Sequence, residues 1–331
     1  MSDAVVKPVD ELVAETRRLI QPYVFKRLES RRPRTAGKKI ARTITVTSGK
    51  GGVGKTNFVA NLAICLGQAG RRVIILDADL GLANIDVVFG IRPKRTLNDV
   101  INGSFSIDQI LIPGPCGIHI IAGGSGLADL AQLKPEQTAR LFDQLRFLED
   151  RADYLLIDTG AGISQNVISF CLAADRIIVI TTPEPAALAD AYGIIKVISQ
   201  SRADANVSVL VNRAEHAEEA RFIHERLRNV AWEFLQFPLN ELGFLPQDRQ
   251  MYLAVRQQTP LMLFSPMSPA AVRLREIVST AFQETSAEIP SSSPSDDLSS
   301  SADPSHIPPA VVGIEGFLER LSRLWRGVPV P

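Results

Sequence analysis

The chain has few of the residues that build metal clusters and disulfide frameworks. Its 331 residues include three cysteines and four histidines, and none of them is paired at the short spacings of a zinc ribbon, a redox dithiol or a metal site. The cysteines, Cys65, Cys116 and Cys171, are therefore expected to be buried thiols in a reducing compartment. No pairing of serine with histidine suggests a hydrolase triad.

Net charge is also missing. Lysine and arginine together number 36, and aspartate and glutamate also number 36, so the chain has no bulk attraction for nucleic acid and specific DNA binding is not expected. No uncharged apolar segment reaches the roughly 18 residues that a membrane-spanning helix needs. The N-terminus contains acidic residues and no apolar secretory segment. What remains is an ordinary globular composition.

Composition divides the chain into four segments. Residues 1–42 form an N-terminal arm in which a helix is conceivable before Pro22, and 26–42 carries eight basic residues and one acid. Such a basic run is most often a solvated linker, and an anionic partner surface is the alternative. Residues 43–285 have the composition of a folded domain. Residues 286–313 are half serine and proline and predict a disordered tether, and 314–331 follow as a separate helix.

Short apolar runs alternate with helical patterns through the folded segment. TITVTS, RVIILDAD, YLLIDTGAG, RIIVITTPEP and VSVLVNRA each lead into a helical stretch. The runs are continuously apolar, which is what strands buried on both faces require. The pattern predicts an α/β fold, in three layers, with a mostly parallel central sheet flanked by helices.

A phosphate-binding loop is the strongest motif. GKGGVGKT satisfies G-x-x-x-x-G-K-[ST] and lies between a predicted strand and a predicted helix, as a P-loop NTPase requires. Its backbone N–H groups and the helix N-terminus should surround the phosphates of ATP. Lys55 should reach the β- and γ-phosphates, and the Thr56 hydroxyl should bind Mg²⁺. The predicted binding residues are Gly49, Lys50, Gly51, Gly52, Val53, Gly54, Lys55, Thr56 and Asn57.

Carboxylates follow two of the predicted strands. Asp77 and Asp79 come at the end of RVIILDAD, and Asp158 follows YLLI. Ligand-binding groups collect at the carboxyl edge of such sheets, and an aspartate in the position of Asp158 can accept a hydrogen bond from Mg²⁺-bound water. Asp77 either supports the Mg²⁺ shell or the loop, or merely caps the next turn. Both alternatives stay open at this point.

The C-terminal segment is strongly amphipathic. Six apolar residues share one helical face: Ile314, Phe317, Leu318, Leu321, Leu324 and Trp325. Arginines are favoured on the opposite face toward the end, so Ile314–Arg326 predicts a helix that lies on a membrane surface. Docking on its own domain or on a partner protein is the alternative. Because one such helix anchors weakly, dimerisation would strengthen membrane residence.

The second lysine of the loop, Lys50, makes the sequence resemble the deviant Walker A ATPases of the MinD/ParA group. In that family the lysine crosses a dimer interface to the partner's ATP, so the resemblance implies an ATP-bound homodimer in which Lys50 and Lys55 are catalytic. It also implies that Asp79 orients the attacking water and that Asp158 begins a γ-phosphate-sensing loop. Asn212 matches the family's adenine contact, and Pro246 and Asp248 match its second base loop.

Within this group the chain is most similar to the FlhG family, also called FleN or YlxH, which regulates flagellar number and placement. The similarity is carried by SGKGGVGKTNFVANLA, LDADLGLANIDVVFGI, IAGGSGLADLAQL, YLLIDTGAGISQNVISF and TTPEPAALADAYGIIKVI. It implies a slow cytoplasmic ATPase, peripheral on the inner face of the cell membrane. The implied partners are the flagellar GTPase FlhF, C-ring or switch proteins, and a flagellar transcription activator.

Three other readings remain open. A ParA-like cargo or DNA partitioning ATPase would bind DNA through surface basic residues, and a septum-site MinD-like regulator would share the membrane cycle. A scaffold that binds nucleotide with little turnover would not need intact Lys55, Thr56, Asp79 and Asp158. The group's Fe–S proteins are disfavoured because no suitably spaced cysteine pair exists.

Overall fold

The computed structural model describes residues 40–79, 84–124, 133–282 and 312–326, and the predicted arm helix and all but the last two residues of the predicted tether lie outside these ranges. Within these ranges eight strands form a single sheet in the order β3-β4-β2-β5-β1-β6-β7-β8. The strands are β1 (Arg42–Ser48), β2 (Val73–Ala78), β3 (Ile112–Pro113), β4 (His119–Ile121), β5 (Tyr154–Ala161), β6 (Arg176–Thr181), β7 (Val207–Ala214) and β8 (Asn240–Pro246). All pairings are parallel except that of β3 with β4.

Helices cover both faces of this sheet. In chain order those of the described ranges are α1 (Lys55–Gln68), α2 (Ile85–Phe89), α3 (Leu97–Ile101), α4 (Ile107–Ile110), α5 (Pro135–Arg146), α6 (Gln165–Ala173), α7 (Pro185–Ser201), α8 (Ala217–Leu235), α9 (Arg249–Arg256), α10 (Leu261–Phe264), α11 (Pro269–Ala281) and α12 (Gly313–Trp325). One core joins the sheet to α1, α10 and α11, and the cores on the other face join it to α5–α8 and α12. The predicted three-layer α/β fold is confirmed.

Burial explains the apolar strands. All six residues of β2 are buried, as are six of the seven in β1, because each strand has helices above and below it. The parallel register places Asp77 of β2 beside Asp158 of β5, and β5 lies next to β1. The loop after β1 and the carboxylates of β2 and β5 therefore meet at one edge of the sheet.

The C-terminal helix packs on this domain. Its apolar face is buried against α5, α6 and β1, with Ile314, Phe317, Leu318 and Leu321 at most 1% exposed. Phe317 stacks on Phe170 of α6, with ring centroids 6.2 Å apart. Trp325 stacks on Phe142 of α5 at 5.4 Å.

This packing is the alternative in which the C-terminal helix docks on its own domain, and the membrane surface predicted for Ile314–Arg326 stays a prediction. The amphipathic pattern is the same for either destination, and here the domain itself supplies the apolar partner. Burial of four large side chains contributes on the order of 1.5–3 kcal/mol each, as an upper limit. Separately, none of the helices in the described ranges has the length and apolarity needed to cross a bilayer.

Candidate functional site

The phosphate-binding loop turns between β1 and α1 at the carboxyl edge of the sheet. Gly52 and Gly54 have positive φ angles of 77° and 99°, a region that side chains disfavour. A Cβ atom on Gly54 would also lie 2.5 Å from the Asn212 side-chain nitrogen. The glycines at these two positions are therefore required by the backbone, and they leave α1 with its N-terminus open to the cavity.

A cavity of about 650 Å³ opens beside this loop. Most of the predicted loop residues line it together with residues from the carboxyl ends of β2 and β5. Those that line it include Gly51, Gly52, Gly54, Lys55, Thr56, Asn57, Asp79 and Gly160. Val53 is buried behind the loop, and Gly49 packs so tightly on α7 that a Cβ atom there would lie 2.1 Å from the Asp190 carbonyl oxygen.

The two lysines of the loop lie in different surroundings. Lys55 is 9% exposed and its Nζ donates to the Ser48 Oγ at 3.0 Å, while burial lowers its pKa against the opposing effect of Asp158. Lys50 lies on the rim, 41% exposed, and its Nζ is 2.9 Å from the Glu184 carboxylate. Lys55 is thus positioned for a ligand in its own cavity, whereas Lys50 lies outside the cavity lining, part exposed and paired with Glu184.

Asp77 braces the chain that follows β2. It is fully buried, one carboxylate oxygen accepts from the Asp79 N–H at 3.1 Å, and the other accepts from the Ile85 N–H at 3.2 Å. Burial raises the pKa of Asp77 to about 6. In the described structure Asp77 therefore supports the loop that follows β2, and its role in a Mg²⁺ shell stays a prediction.

Asp158 has the surroundings that a metal–phosphate complex requires. It is 1% exposed, the Thr56 hydroxyl hydrogen-bonds its carboxylate, and its Oδ1 has no hydrogen-bond partner within the described residues. Burial raises the pKa of Asp158, Asp77 raises it further, and Thr56 and Lys55 oppose the rise. An unsatisfied buried carboxylate beside a hydroxyl and an ammonium fits Mg²⁺ with a polyphosphate.

Asp79 lies against the loop that follows Asp158. A Cβ atom on Gly160 would be 3.5 Å from the Asp79 Oδ1, so the two segments touch at the cavity wall. Gly162 has a φ of 91°, and its N–H donates to the Ser48 carbonyl at 2.9 Å, which ties this loop to the start of the phosphate-binding loop. The predicted catalytic carboxylate and the predicted γ-phosphate sensor are therefore neighbours.

The residues predicted to lie at the adenine base make contacts within the protein. Asn212 donates to the Val53 carbonyl at 2.7 Å and so braces the phosphate-binding loop. Asp248 caps α9, its two oxygens accepting from the N–H groups of Gln250 at 2.8 Å and Ala270 at 3.0 Å. Both oxygens of Asp248 thus accept from backbone donors, and the contact of its loop with the base stays a prediction. Pro246 ends β8.

Three residues at the site are not predicted by the sequence analysis. Ser48 receives the Lys55 ammonium, Glu184 receives that of Lys50, and Arg213 donates to the Gly52 carbonyl at 2.8 Å. Arg213 has a positive φ of 59°, which few non-glycine residues adopt. Ser48 has a local signal because it directly precedes the loop. Glu184 and Arg213 reach the loop only through the order of the strands.

Comparison with known proteins gives a consistent set of relatives. The ParA family model, described as NUBPL iron-transfer P-loop NTPase, matches residues 39–282. The chain is 39% identical to the antiactivator FleN of Pseudomonas aeruginosa over 71% of this chain and 84% of that protein. It is 34% identical to the flagellum site-determining protein YlxH of Helicobacter pylori, over 67% and 76%.

A solved structure agrees with these sequence matches. The septum site-determining protein MinD of Pyrococcus horikoshii, complexed with Mg-ADP, aligns with a TM-score of 0.60 and 26% identity. The alignment covers 73% of this chain and 96% of that one.

Proposed function

The chain belongs to the ParA/MinD family of P-loop NTPases and is an ATPase that uses ATP and Mg²⁺, and we propose that it works as a switch in which ATP joins two copies face to face. The observation that carries this proposal is the exposed Lys50 on the rim of the cavity, beside a buried Lys55 that already serves the cavity from within. A second lysine outside the cavity is suited to the phosphates of an opposing subunit.

The mouth of the cavity also supports pairing with a second copy. Three large apolar side chains are exposed there or on the adjoining loop: Val87 is 48% exposed, Ile163 60% and Val255 42%. Apolar residues gathered around a site on an otherwise polar surface mark an interaction face. A face-to-face dimer would cover them and place Lys50 near the partner's cavity.

The residues of the cavity suggest how hydrolysis would proceed. Lys55 and the N-terminus of α1 would hold the phosphates, and Thr56 and Asp158 would hold Mg²⁺, with Asp158 acting through a bound water. Mg²⁺ neutralises charge on the phosphates when bound. Asp79 would accept a hydrogen bond from the attacking water, and Asp77 would keep that carboxylate in place through the Asp79 N–H.

Lys50→Ala tests the shared site. We expect this variant to bind ATP with an affinity within a few-fold of the wild type and to stay monomeric in Mg–ATPγS, because only the contact across the interface is lost. Analytical ultracentrifugation with and without nucleotide gives the readout, and Lys196→Ala, at an exposed position on α7, is the control. A Lys50→Ala dimer as stable as the wild type would contradict the exchange of lysines.

We infer from the relatives that the switch regulates flagellar number or placement. FleN is named an antiactivator and YlxH a flagellum site-determining protein, and both align over most of their length. FlhF, the C-ring proteins and a flagellar transcription activator are the proposed partners. Counting flagella on cells that carry Lys50→Ala tests this part, and an unchanged number would contradict it.

We also propose that the dimer resides on the cytoplasmic membrane through α12. Because the same apolar face is buried in the described structure, α12 must leave its groove before it can insert. A direct path exists, since α6 begins just after the loop Gly160–Ser164 and forms the floor of that groove through Phe170. Movement of this loop around a γ-phosphate would shift α6 under α12.

Trp325 reports this release. The chain has two tryptophans, and Trp232 is 57% exposed, so Trp232→Phe leaves the stacked Trp325 as the single probe. We expect Mg–ATPγS, and not ADP, to shift its emission to longer wavelength and to increase quenching by acrylamide. Emission that stays the same at concentrations where the dimer forms would contradict release of the helix.

A further inference from the structure

Asn166 is a polar residue of the cavity that the hydrolysis described above does not use. It is the second residue of α6, and it lines the cavity together with Asp79, Gly160 and Ser164. Its Oδ1 is enclosed and accepts no hydrogen bond from the residues that the structure describes. Because buried amide oxygens are normally paired, an unpaired one at the wall of a binding cavity indicates a partner that arrives with the ligand.

Asn166 stands on a packed helix rather than on a loop. The residues that follow it in α6, 167–173, are all buried. The Phe170 carbonyl accepts from the Thr45 Oγ1 at 3.0 Å, which ties α6 to the strand that leads into the phosphate-binding loop. Side chains on such elements are positioned more precisely than side chains on loops. Asn166 therefore moves only with α6 as a whole.

The N-terminus of α6 borders the same cavity. Ser164 and Val167 both line it, and the first helical hydrogen bond runs from the Ile168 N–H to the Ser164 carbonyl at 3.0 Å. The N–H groups of Gln165, Asn166 and Val167 precede that bond, so this end of α6 carries a positive partial charge. The surroundings of the Asn166 amide thus favour a negatively charged neighbour such as a phosphate.

An amide can serve both groups that react in ATP hydrolysis. Its nitrogen donates hydrogen bonds and its oxygen accepts them, whereas a carboxylate only accepts. The terminal torsion of asparagine is broad and roughly two-fold, so a half-turn can direct the enclosed Oδ1 of Asn166 toward the cavity. A glutamine amide orients the attacking water in P-loop GTPases. Asn166 offers the same functional group beside Asp79 and the loop that follows Asp158.

We propose that Asn166 is a further catalytic residue, whose amide orients the attacking water together with Asp79. The Oδ1 accepts a hydrogen bond from the water, and the Nδ2 donates to an oxygen of the γ-phosphate. The inference rests on the proposed function, because it takes the γ-phosphate to lie between Lys55 and Asp79. Asp79 and Asn166 would then fix both hydrogens of the water and leave its oxygen directed at phosphorus.

The bonds that change follow from this arrangement. The water oxygen forms a bond to the γ-phosphorus, and the bond from that phosphorus to the bridging oxygen breaks, with its electron pair leaving on ADP. One proton of the water passes to Asp79, and the other stays on the phosphate that is released. Asn166 gains and loses no proton, so its contribution is orientation and a donor to the charge of the transition state.

Asn166→Ala removes both hydrogen bonds. At saturating Mg–ATP and at concentrations where the dimer forms, we expect the rate of single-turnover hydrolysis to fall about 10²-fold, since removal of one donor to a transition state has an effect of this order. ATP affinity should stay within about twofold of the wild type. The matched control is Gln165→Ala, which removes the adjacent amide, an exposed one outside the cavity lining, and should change neither quantity.

Two conservative variants separate the chemistry of the amide from its packing. Asn166→Asp keeps the shape but loses the donor, and its charge repels the γ-phosphate, so we expect turnover at least as slow as that of Asn166→Ala. Asn166→Ser keeps a group that donates and accepts, and we expect it to restore part of the rate. A role in packing alone predicts the opposite order, because the aspartate would restore the contacts.

A transition-state analogue gives a readout that is independent of turnover. Mg–ADP with aluminium fluoride mimics the transferring phosphoryl group, whereas Mg–ATPγS mimics the ground state. Because the contacts of Asn166 would be strongest in the transition state, Asn166→Ala is expected to bind the analogue about 10²-fold more weakly and ATPγS within about twofold of the wild type. Calorimetric titration measures both affinities, and thermal melting checks the fold.

The outcomes separate this inference from the proposed function. Normal turnover by folded Asn166→Ala, with Asp79→Asn impaired, would overturn the inference and leave the role of Asp79 intact. Normal turnover by both variants would overturn the role of Asp79 and the inference with it. Equal weakening of the analogue and of ATPγS would make Asn166 a ground-state binding residue, against the inference. Loss of the nucleotide-dependent dimer in Asn166→Ala would assign the amide to the interface instead.

Discussion

Asp79→Asn is expected to lower the rate of ATP turnover by about 10²–10⁴-fold while ATP binding and dimerisation persist. The amide has the size of the carboxylate but cannot take up a proton from the attacking water. Binding should survive because the phosphates are held by the loop and Lys55, on the other side of the cavity. Single-turnover hydrolysis and ultracentrifugation in ATP give the two readouts.

The control for Asp79→Asn is Asp143→Asn, an exposed carboxylate on α5 that pairs only locally with Arg146. It should leave turnover unchanged. Normal turnover by the Asp79→Asn chain would show that another group orients the water. Loss of ATP binding would instead place Asp79 among the groups that hold the nucleotide.

Lys55→Ala is expected to weaken ATP binding by about 10²-fold and to abolish nucleotide-dependent dimerisation. A charge-assisted hydrogen bond to phosphate in a buried site contributes up to about 3 kcal/mol, which corresponds to that factor. The 3.0 Å contact with Ser48 keeps the Lys55 ammonium at the cavity wall before any ligand arrives. Titration with a fluorescent ATP analogue measures the change.

Lys55 is buried, so its removal must be separated from unfolding. Circular dichroism and thermal melting of Lys55→Ala check the fold, and Ser48→Ala, which keeps the ammonium but removes its partner, should weaken binding only a few-fold. Unchanged ATP affinity in folded Lys55→Ala would refute the assignment of the loop.

The sequence predicts the site where the relevant residues are close together along the chain. The P-loop is a contiguous motif whose glycines have a backbone reason, and the positions of Asp77, Asp79 and Asp158 follow from the ends of two apolar strands. Glu184 and Arg213 could not be predicted, because each meets the loop only once β6 has been placed beside β1 and β7 beside β6. The same holds for the capping role of Asp248, whose partner Ala270 is 22 residues away.

The surface that covers α12 shows a different limit of prediction from the sequence. Periodicity establishes that one face of this helix is apolar, and that face can be covered by lipid or by protein. Two of its covering residues, Phe142 and Phe170, precede their stacking partners on α12 by more than 140 residues, so no local pattern identifies them. Glu149 accepts from the Glu315 N–H of α12, and Asp175 pairs with Arg320 of the same helix. Neither contact could be predicted, since an isolated acidic residue is ordinary on a surface.

The close contacts around Gly313 allow a genetic test that separates the location of the protein from the duration of its nucleotide-bound state. One methyl group at this position collides with Ile40 and with the Ala41 carbonyl, on the amino-terminal side of β1, whereas the nucleotide cavity opens at the opposite end of the strand. A single substitution at Gly313 would therefore release α12 and leave the nucleotide site unchanged. A strain that carried it would show whether the cell responds to the location of this ATPase or to the lifetime of its nucleotide-bound state.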